Sequence, residues 1–259
     1  MNSKTFGSLA ASRTKVLMRT LGLTLYGDLD ISVIDQAPAG RGRIKTFVRD
    51  AARLPKVLEF IRAKLKEGRQ AFVVYPRVEE TDSGALKAVT KEWEKLQKEF
   101  APVRVGLLHG RLTAEEKERV MTAFRARRLE VLVATSVIEV GVDMPNATVM
   151  LIENAEQFGL AQLHQLRGRI GRGAHESHCI LVADIKTDEA RRRLNVLAET
   201  TDGFRIAEED LKLRGPGELL GREQSGLPAF RFGDLSQDRD LVERARQLAK
   251  DILERAEKT

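Results

Sequence analysis

A single cysteine, Cys179, among 259 residues leaves no partner for a disulfide and no thiolate set for a zinc site. No apolar run approaches the ~20 residues that a membrane-spanning helix needs. Runs such as Val131-Leu132-Val133-Ala134 are strand-sized. Residues 1–11 hold one lysine and no apolar stretch, so they do not read as a secretory signal, and a cytoplasmic setting with no membrane partner is expected. No Gly-x-x-x-x-Gly-Lys-Ser/Thr pattern occurs, which excludes a loop of that kind for cradling β and γ phosphates. Aromatic residues are few, and the one tryptophan, Trp93, reads as core rather than as a base-stacking platform. Internal repeats and low-complexity segments are absent.

What remains is an ordinary globular composition, 42% hydrophobic and 32% charged, with room for one large or two modest domains. The 44 basic and 38 acidic residues give a net charge of +6, a mild excess that suits a polyanionic partner without demanding one. Arginines cluster twice, at Arg167, Arg169 and Arg172 and again at Arg191, Arg192 and Arg193. The second run reads first as a solvated helix face.

Periodicity organises the middle of the chain. Residues 1–36 read as the tail of something that began upstream, and Pro38, Gly40 and Gly42 mark a loop. Strands are expected at 43–48, 71–75, 103–108, 131–134, 149–152 and 179–182. Helices are expected between them: 57–66 with Val57, Leu58, Ile61 and Leu65 on one stripe and Gly68 closing it, then 87–100, then 113–125. Thr113 and Glu116 have the spacing of a capping box. Strands alternating with helices imply a parallel sheet wrapped by helices, with ligands at the loops beyond the strands' carboxyl ends. After about Asp184 the alternation stops, leaving helices broken by a Gly/Pro-rich stretch at 214–226.

Two stretches carry chemistry. In Gln165-Leu166-Arg167-Gly168-Arg169-Ile170-Gly171-Arg172-Gly173, Arg169 and Arg172 stand three apart at the end of a helical run from Gly159. Arginine donates in a fixed fork and is always charged, so one placed across a cleft can stabilise a transferring phosphoryl group. Gly168, Gly171 and Gly173 would let backbone approach a ligand; a basic helix end at the surface is the alternative. In the second stretch, Val131-Leu132-Val133-Ala134-Thr135-Ser136, a buried strand runs into hydroxyls able to donate to a DNA phosphate. Gly141 and Asp143 follow, and Asp143 could accept from a ribose hydroxyl. By itself Asp143-Met144-Pro145-Asn146 is a turn.

In this order the two stretches resemble the fifth and sixth motifs of superfamily-two helicases. Phe72-Val73-Val74-Tyr75-Pro76-Arg77 and Gly106-Leu107-Leu108-His109-Gly110-Arg111-Leu112 fall where such domains carry their fourth motif and a further nucleic-acid loop. Leu25-Tyr26-Gly27-Asp28-Leu29-Asp30 and Ile138-Glu139-Val140-Gly141-Val142-Asp143 are similar to the bacterial branch-migration helicases. Arg214-Gly215-Pro216-Gly217-Glu218-Leu219-Leu220-Gly221, followed by Gln224-Ser225-Gly226, resembles the TRG region, a helical hairpin and loop which those helicases share with the transcription-repair coupling translocases.

The resemblance implies a RecA-like α/β domain at 37–185 and a helical TRG region at 186–259, with 1–36 a remnant of the region between two motor domains. Arg169 and Arg172 would reach ATP phosphates, with Gly141 and Asp143 also on the nucleotide. Thr135, Ser136, Arg111 and His109 would lie along DNA, while Arg214 and Gln224 would couple nucleotide state to movement. ATP and Mg2+ would be held mainly by a first motor domain. The partners would be that domain, a wedge-bearing domain and branched DNA (forks and Holliday junctions), acting at the nucleoid, with the chain a monomer. For His109 and His164, packing or a local hydrogen bond outweighs catalysis, since no nucleophile or metal-ligand set accompanies them. Two other readings stand beside this one: a module that binds branched DNA or a partner without ATP, and the same part of a coupling translocase.

Overall fold

The computed structural model describes residues 42–76, 83–135 and 144–214, together with positions 244 and 248. Six strands form one sheet: β1 (Ile44–Asp50), β2 (Gln70–Tyr75), β3 (Val105–Leu108), β4 (Val131–Thr135), β5 (Ala147–Ile152) and β6 (Ser177–Ala183). Their order across the sheet is β1-β6-β5-β2-β4-β3, and every pairing is parallel. The near-continuous apolar runs of β2, β4 and β5 follow from this arrangement, since a parallel sheet is covered on both faces and leaves no face for polar alternation.

The helices divide between the two faces. α1 (Leu54–Lys66) and α2 (Ser83–Phe100) cover one, packing Val57, Ile61, Leu65, Leu96 and Phe100 onto Val73, Val133 and Leu151. α3 (Ala114–Arg125), α4 (Leu160–Arg167), α5 (Asp188–Glu199) and α6 (Gly203–Arg214) belong to the other, where Phe124, Leu163, Leu194 and Ile206 meet Phe72, Leu132 and Met150. The buried leucines of α4, Leu160, Leu163 and Leu166, contribute about 1.5–3 kcal/mol each through their removal from water.

Helix ends are set by local chemistry. Gly68 takes φ +76° after α1, a conformation that any side chain would strain. The Thr113 hydroxyl accepts from the Glu116 amide at 3.2 Å while the Glu116 carboxylate accepts from the Thr113 amide at 2.8 Å, so the expected capping box forms. Trp93 is half-buried against the core and its indole N–H donates to Val105 O at 3.0 Å, as a core residue should. Arg191 and Arg192 are exposed, the solvated face anticipated for that run, but Arg193 departs from it: it is half-buried and donates to Phe158 O at 3.2 Å.

Candidate functional site

The expected site residues fall on opposite edges of the sheet. Because all strands run the same way, the residues after β3 and at the end of β4 share the carboxyl edge. Thr135 closes β4 there, half-buried, and His109 follows β3. The turn after β3 is tied down: Leu112 N–H donates to His109 O at 3.3 Å, and the Lys117 ammonium donates to Gly110 O at 3.1 Å. Burial holds the His109 imidazole below its usual pKa, with Lys117 and Arg111 acting in the same direction and Glu116 against them. Cationic character in this loop therefore comes from Arg111 and Lys117. Ser136, Gly141, Asp143, Gln224 and Arg77 lie outside the described residues.

The arginine segment corrects one expectation. It does not lie beyond the strands' carboxyl ends. After β5 the chain turns through a 3-10 segment, and α4 runs back so that residues 168–173 lie at the amino-terminal edge, where β1, β5 and β6 begin. Gly42 N–H donates to Gly173 O at 2.7 Å, and Ser177 N–H to Arg43 O at 2.9 Å. A side chain at Gly173 would come within 2.6 Å of Pro145 O, so the end of the 135–145 stretch meets the arginine segment directly. That end is anchored by Asn146, whose amide group donates to Gly68 O at 3.0 Å and to the Gln70 side chain at 3.2 Å. Residues 144–146 do form the turn that their composition suggests.

Two of the three glycines serve the protein's own packing rather than a ligand. Gly171 has φ +72° and lies where a Cβ would come within 2.5 Å of the Ile44 side chain; Gly173 fits against Pro145. Gly168 has ordinary helical angles as the C-cap of α4. Its carbonyl accepts from Arg172 Nε at 3.2 Å, which fixes the start of a partly exposed guanidinium. Arg169 is only 5% exposed and Arg167 only 3%. The three arginines thus divide into two buried groups and one that reaches the surface.

Arg167 has a role that spacing alone does not reveal. Its Nη1 donates to Leu197 O at 2.7 Å and Thr200 O at 2.8 Å, and its Nη2 meets His164 Nδ1 at 2.9 Å. The fork satisfies two carbonyls left open at the end of α5 and fastens α4 to the α5–α6 junction. The far side of the His164 ring approaches Gly203, the first residue of α6: a Cβ there would lie 3.4 Å from Nε2. Burial first, and then Arg167, push His164 down to about 4, so it is neutral and structural, as expected. Nothing in the sequence separates Arg167 from its two neighbours except its position on the buried stripe with Leu163 and Leu166.

Gln70 and Glu153 also escape a motif search. Buried Gln70 donates to Phe124 O at 2.6 Å and Leu129 O at 2.8 Å, tying the start of β2 to the turn before β4. Glu153 follows β5 at the carboxyl edge, its amide donating to Val74 O at 2.9 Å. Burial, then repulsion from Glu92 on α2, raises its carboxyl to about 7, and the same surroundings raise the Tyr75 hydroxyl. A carboxyl raised from 4.5 to about 7 contributes stability that is present below its unfolded value and lost as pH rises through 7. Glu153→Gln should therefore raise the thermal midpoint by a few degrees near pH ~8 and leave it unchanged near pH ~4. Melting curves at the two pH values check this; equal shifts at both would show that charge is not the cause.

Known proteins decide the family. Residues 52–174 match the family described as Helicase conserved C-terminal domain, and residues 200–259 match the one described as ATP-dependent DNA helicase RecG, domain 3, C-terminal. The chain belongs to the RecG family. The RecG of Synechocystis sp. is 52% identical over 236 residues, which is 91% of this chain and 28% of the relative. The RecG of Thermotoga maritima is 48% identical over 250 residues, 96% of this chain and 32% of the relative. A solved structure of RecG bound to a three-way DNA junction superposes with a TM-score of 0.67 at 48% identity, covering 87% of this chain and 29% of that one. The chain thus spans about a third of the length of these RecG relatives. The six-stranded parallel sheet is the RecA-like fold of their helicase C-terminal domain. The Arg167 fork crosses the join between the two matched segments, since Thr200 opens the second. Among the described residues, no helix is long and apolar enough to cross a membrane.

Proposed function

We propose that this chain is the second motor domain of a branched-DNA translocase together with the element that couples ATP turnover to movement. The observation that carries this reading is the meeting of the arginine segment with the end of the 135–145 stretch at Pro145 and Gly173, on an edge bearing a partly exposed Arg172. Arg172, with Arg169 behind it, would approach the phosphates of ATP held mainly by the partner motor domain; Gly141 and Asp143 would hold the ribose. Bound ATP would supply the phosphoryl group to be transferred. The chain's own part is to place fixed positive charge beside it. Mg2+ would be held, like the ATP phosphates, mainly by the partner motor domain. Thr135, Arg111 and His109, at the opposite edge, would lie along the DNA backbone, joined by Ser136, and forks and Holliday junctions would be the substrates. The domain division at 37–185 and 186–259, with 1–36 a remnant of the inter-motor region, belongs to the same reading.

The isolated 259-residue chain tests it. No ATP turnover above background is expected with or without forked DNA, while its weak DNA binding should be indifferent to sequence and should fall steeply with salt. DNA-stimulated hydrolysis by this chain, or affinity flat from low to physiological salt, would refute the assignment.

Arg214 and Gln224 would act as the lever. Arg214 is the last residue of α6, and Gln224 lies beyond the described residues. In the chain joined to its ATP-binding half, Arg214→Ala or Gln224→Ala should preserve DNA-stimulated hydrolysis and abolish junction unwinding. Both activities are measured on one preparation with a melting curve; parallel loss, or no loss, would defeat the lever.

A further inference from the structure

A cavity of about 320 Å³ opens at the β1 edge of the sheet, between that strand and the start of α1. The motor reading makes no use of it. Its cationic side chains are Lys45, Arg49, Arg53 and Lys56, all exposed. Its interior is apolar, built around Phe47, Phe60 and the half-buried ring of His178. Lys45, Phe47 and Arg49 share one face of β1 because strand side chains alternate, and they stand in register with His178, Ile180 and Val182 of β6. One acid lies at the rim: Glu176 pairs with Lys45 at 2.9 Å and lies 3.3 Å from His178 Nε2. It offsets one of four cations.

The aromatic rings are already engaged. The Arg49 guanidinium lies 5.0 Å over Phe47, the His178 ring runs parallel to Phe47 at 6.2 Å, and Phe60 meets His178 edge-on at 4.9 Å. Such rings do not offer the stacking platform that an unpaired base requires. The volume lies at the low end for small-molecule pockets, suiting one large apolar side chain better than a planar cofactor. Among the described residues β1 pairs only with β6, so its outer edge is a template for another strand.

We propose that this edge docks an acidic, extended peptide, which adds beside β1 and inserts one apolar side chain into the cavity. Main-chain bonds along the edge would supply affinity, and the apolar insert specificity. Acidic residues two positions to either side of the insert would face Lys45 and Arg49, as opposite charges on paired strands do. Arg53 and Lys56, at the start of α1, would close over them.

The test is fluorescence anisotropy of the 259-residue chain with a labelled peptide of sequence Gly-Thr-Asp-Thr-Phe-Thr-Asp-Thr. Saturable binding is expected. It should weaken about tenfold when serine replaces the peptide's phenylalanine, and by at least as much in the exposed double variant R53E/K56E. A twelve-nucleotide oligothymidylate at equal charge concentration should not displace the peptide. Absence of saturation, indifference to the phenylalanine, or displacement by the oligonucleotide would each overturn the proposal, the last in favour of a phosphate-binding groove. The serine-for-phenylalanine comparison needs no altered protein, so it decides the matter even if the double variant melts early.

Discussion

In the chain joined to its ATP-binding half, Arg172→Ala should lower ATP turnover by about three orders of magnitude while leaving the fold intact. The size follows from what a positioned arginine does at a phosphoryl group: it neutralises charge that develops only in the transition state, an effect on the scale of 10³ or more in turnover. Fold integrity follows from the structure, where the side chain is partly exposed and its hydrogen bond to the Gly168 carbonyl is at the surface. Losing that bond costs about 1 kcal/mol or less. Arg169→Ala should look different, because Arg169 is buried and its removal should lower the melting temperature together with turnover. Steady-state hydrolysis and a melting curve on both variants separate the roles. Near-normal turnover in Arg172→Ala would return that arginine to the basic-surface reading.

Arg167→Ala should unfold the junction between the sheet and the C-terminal helices. Two carbonyls near the end of α5 would lose charged donors, and His164 would lose its partner. Bonds to charged groups contribute about 1.5–3 kcal/mol each, so a loss of roughly 3–5 kcal/mol and ~10 °C in midpoint is expected. Arg167→Lys should recover little, since one ammonium cannot serve both the two carbonyls and His164, which the two arms of the guanidinium divide between them. His164 adds a pH signature. Its folded value, about 4, is depressed below the usual 6.5, so the unfolded state binds the proton more readily. Stability at this site is full above about 6.5 and falls as pH drops towards 4, by about 3 kcal/mol at most. His164→Gln should flatten that acid limb. An unchanged midpoint in Arg167→Ala would show that the fork is incidental to the junction.

Much of the sheet could be read from the chain because its signals are local. Val131-Leu132-Val133-Ala134 has the apolar continuity that a strand covered on both faces requires, and Thr113 with Glu116 states a helix start in four residues. The family was legible through combination, since the arginine segment and the 135–145 stretch are each weak alone. The sequence did not reveal which edge each motif would occupy. That depends on α4 running back along the sheet, a tertiary fact with no local code. The contrast among Arg167, Arg169 and Arg172 was hidden for the same reason: three identical side chains differ only in what α5 and α6 place around them. Glu153 carried no motif, because its raised pKa comes from burial beside Glu92, far away in sequence.

The separation of the two edges has a mechanical consequence. Strands of five to seven residues, at about 3.3 Å each, set roughly 15–20 Å of hydrogen-bonded sheet between Arg172 and Thr135. Packed interiors resist compression, so a sheet driven from one edge would turn as a solid body instead of bending. A rotation of ~10° about the arginine edge, acting over ~20 Å, would carry the opposite edge about 3.5 Å, close to the ~3.4 Å rise of one base pair. On the proposed assignment, a small angular change at the nucleotide would be geared, by strand length alone, to the repeat of the track.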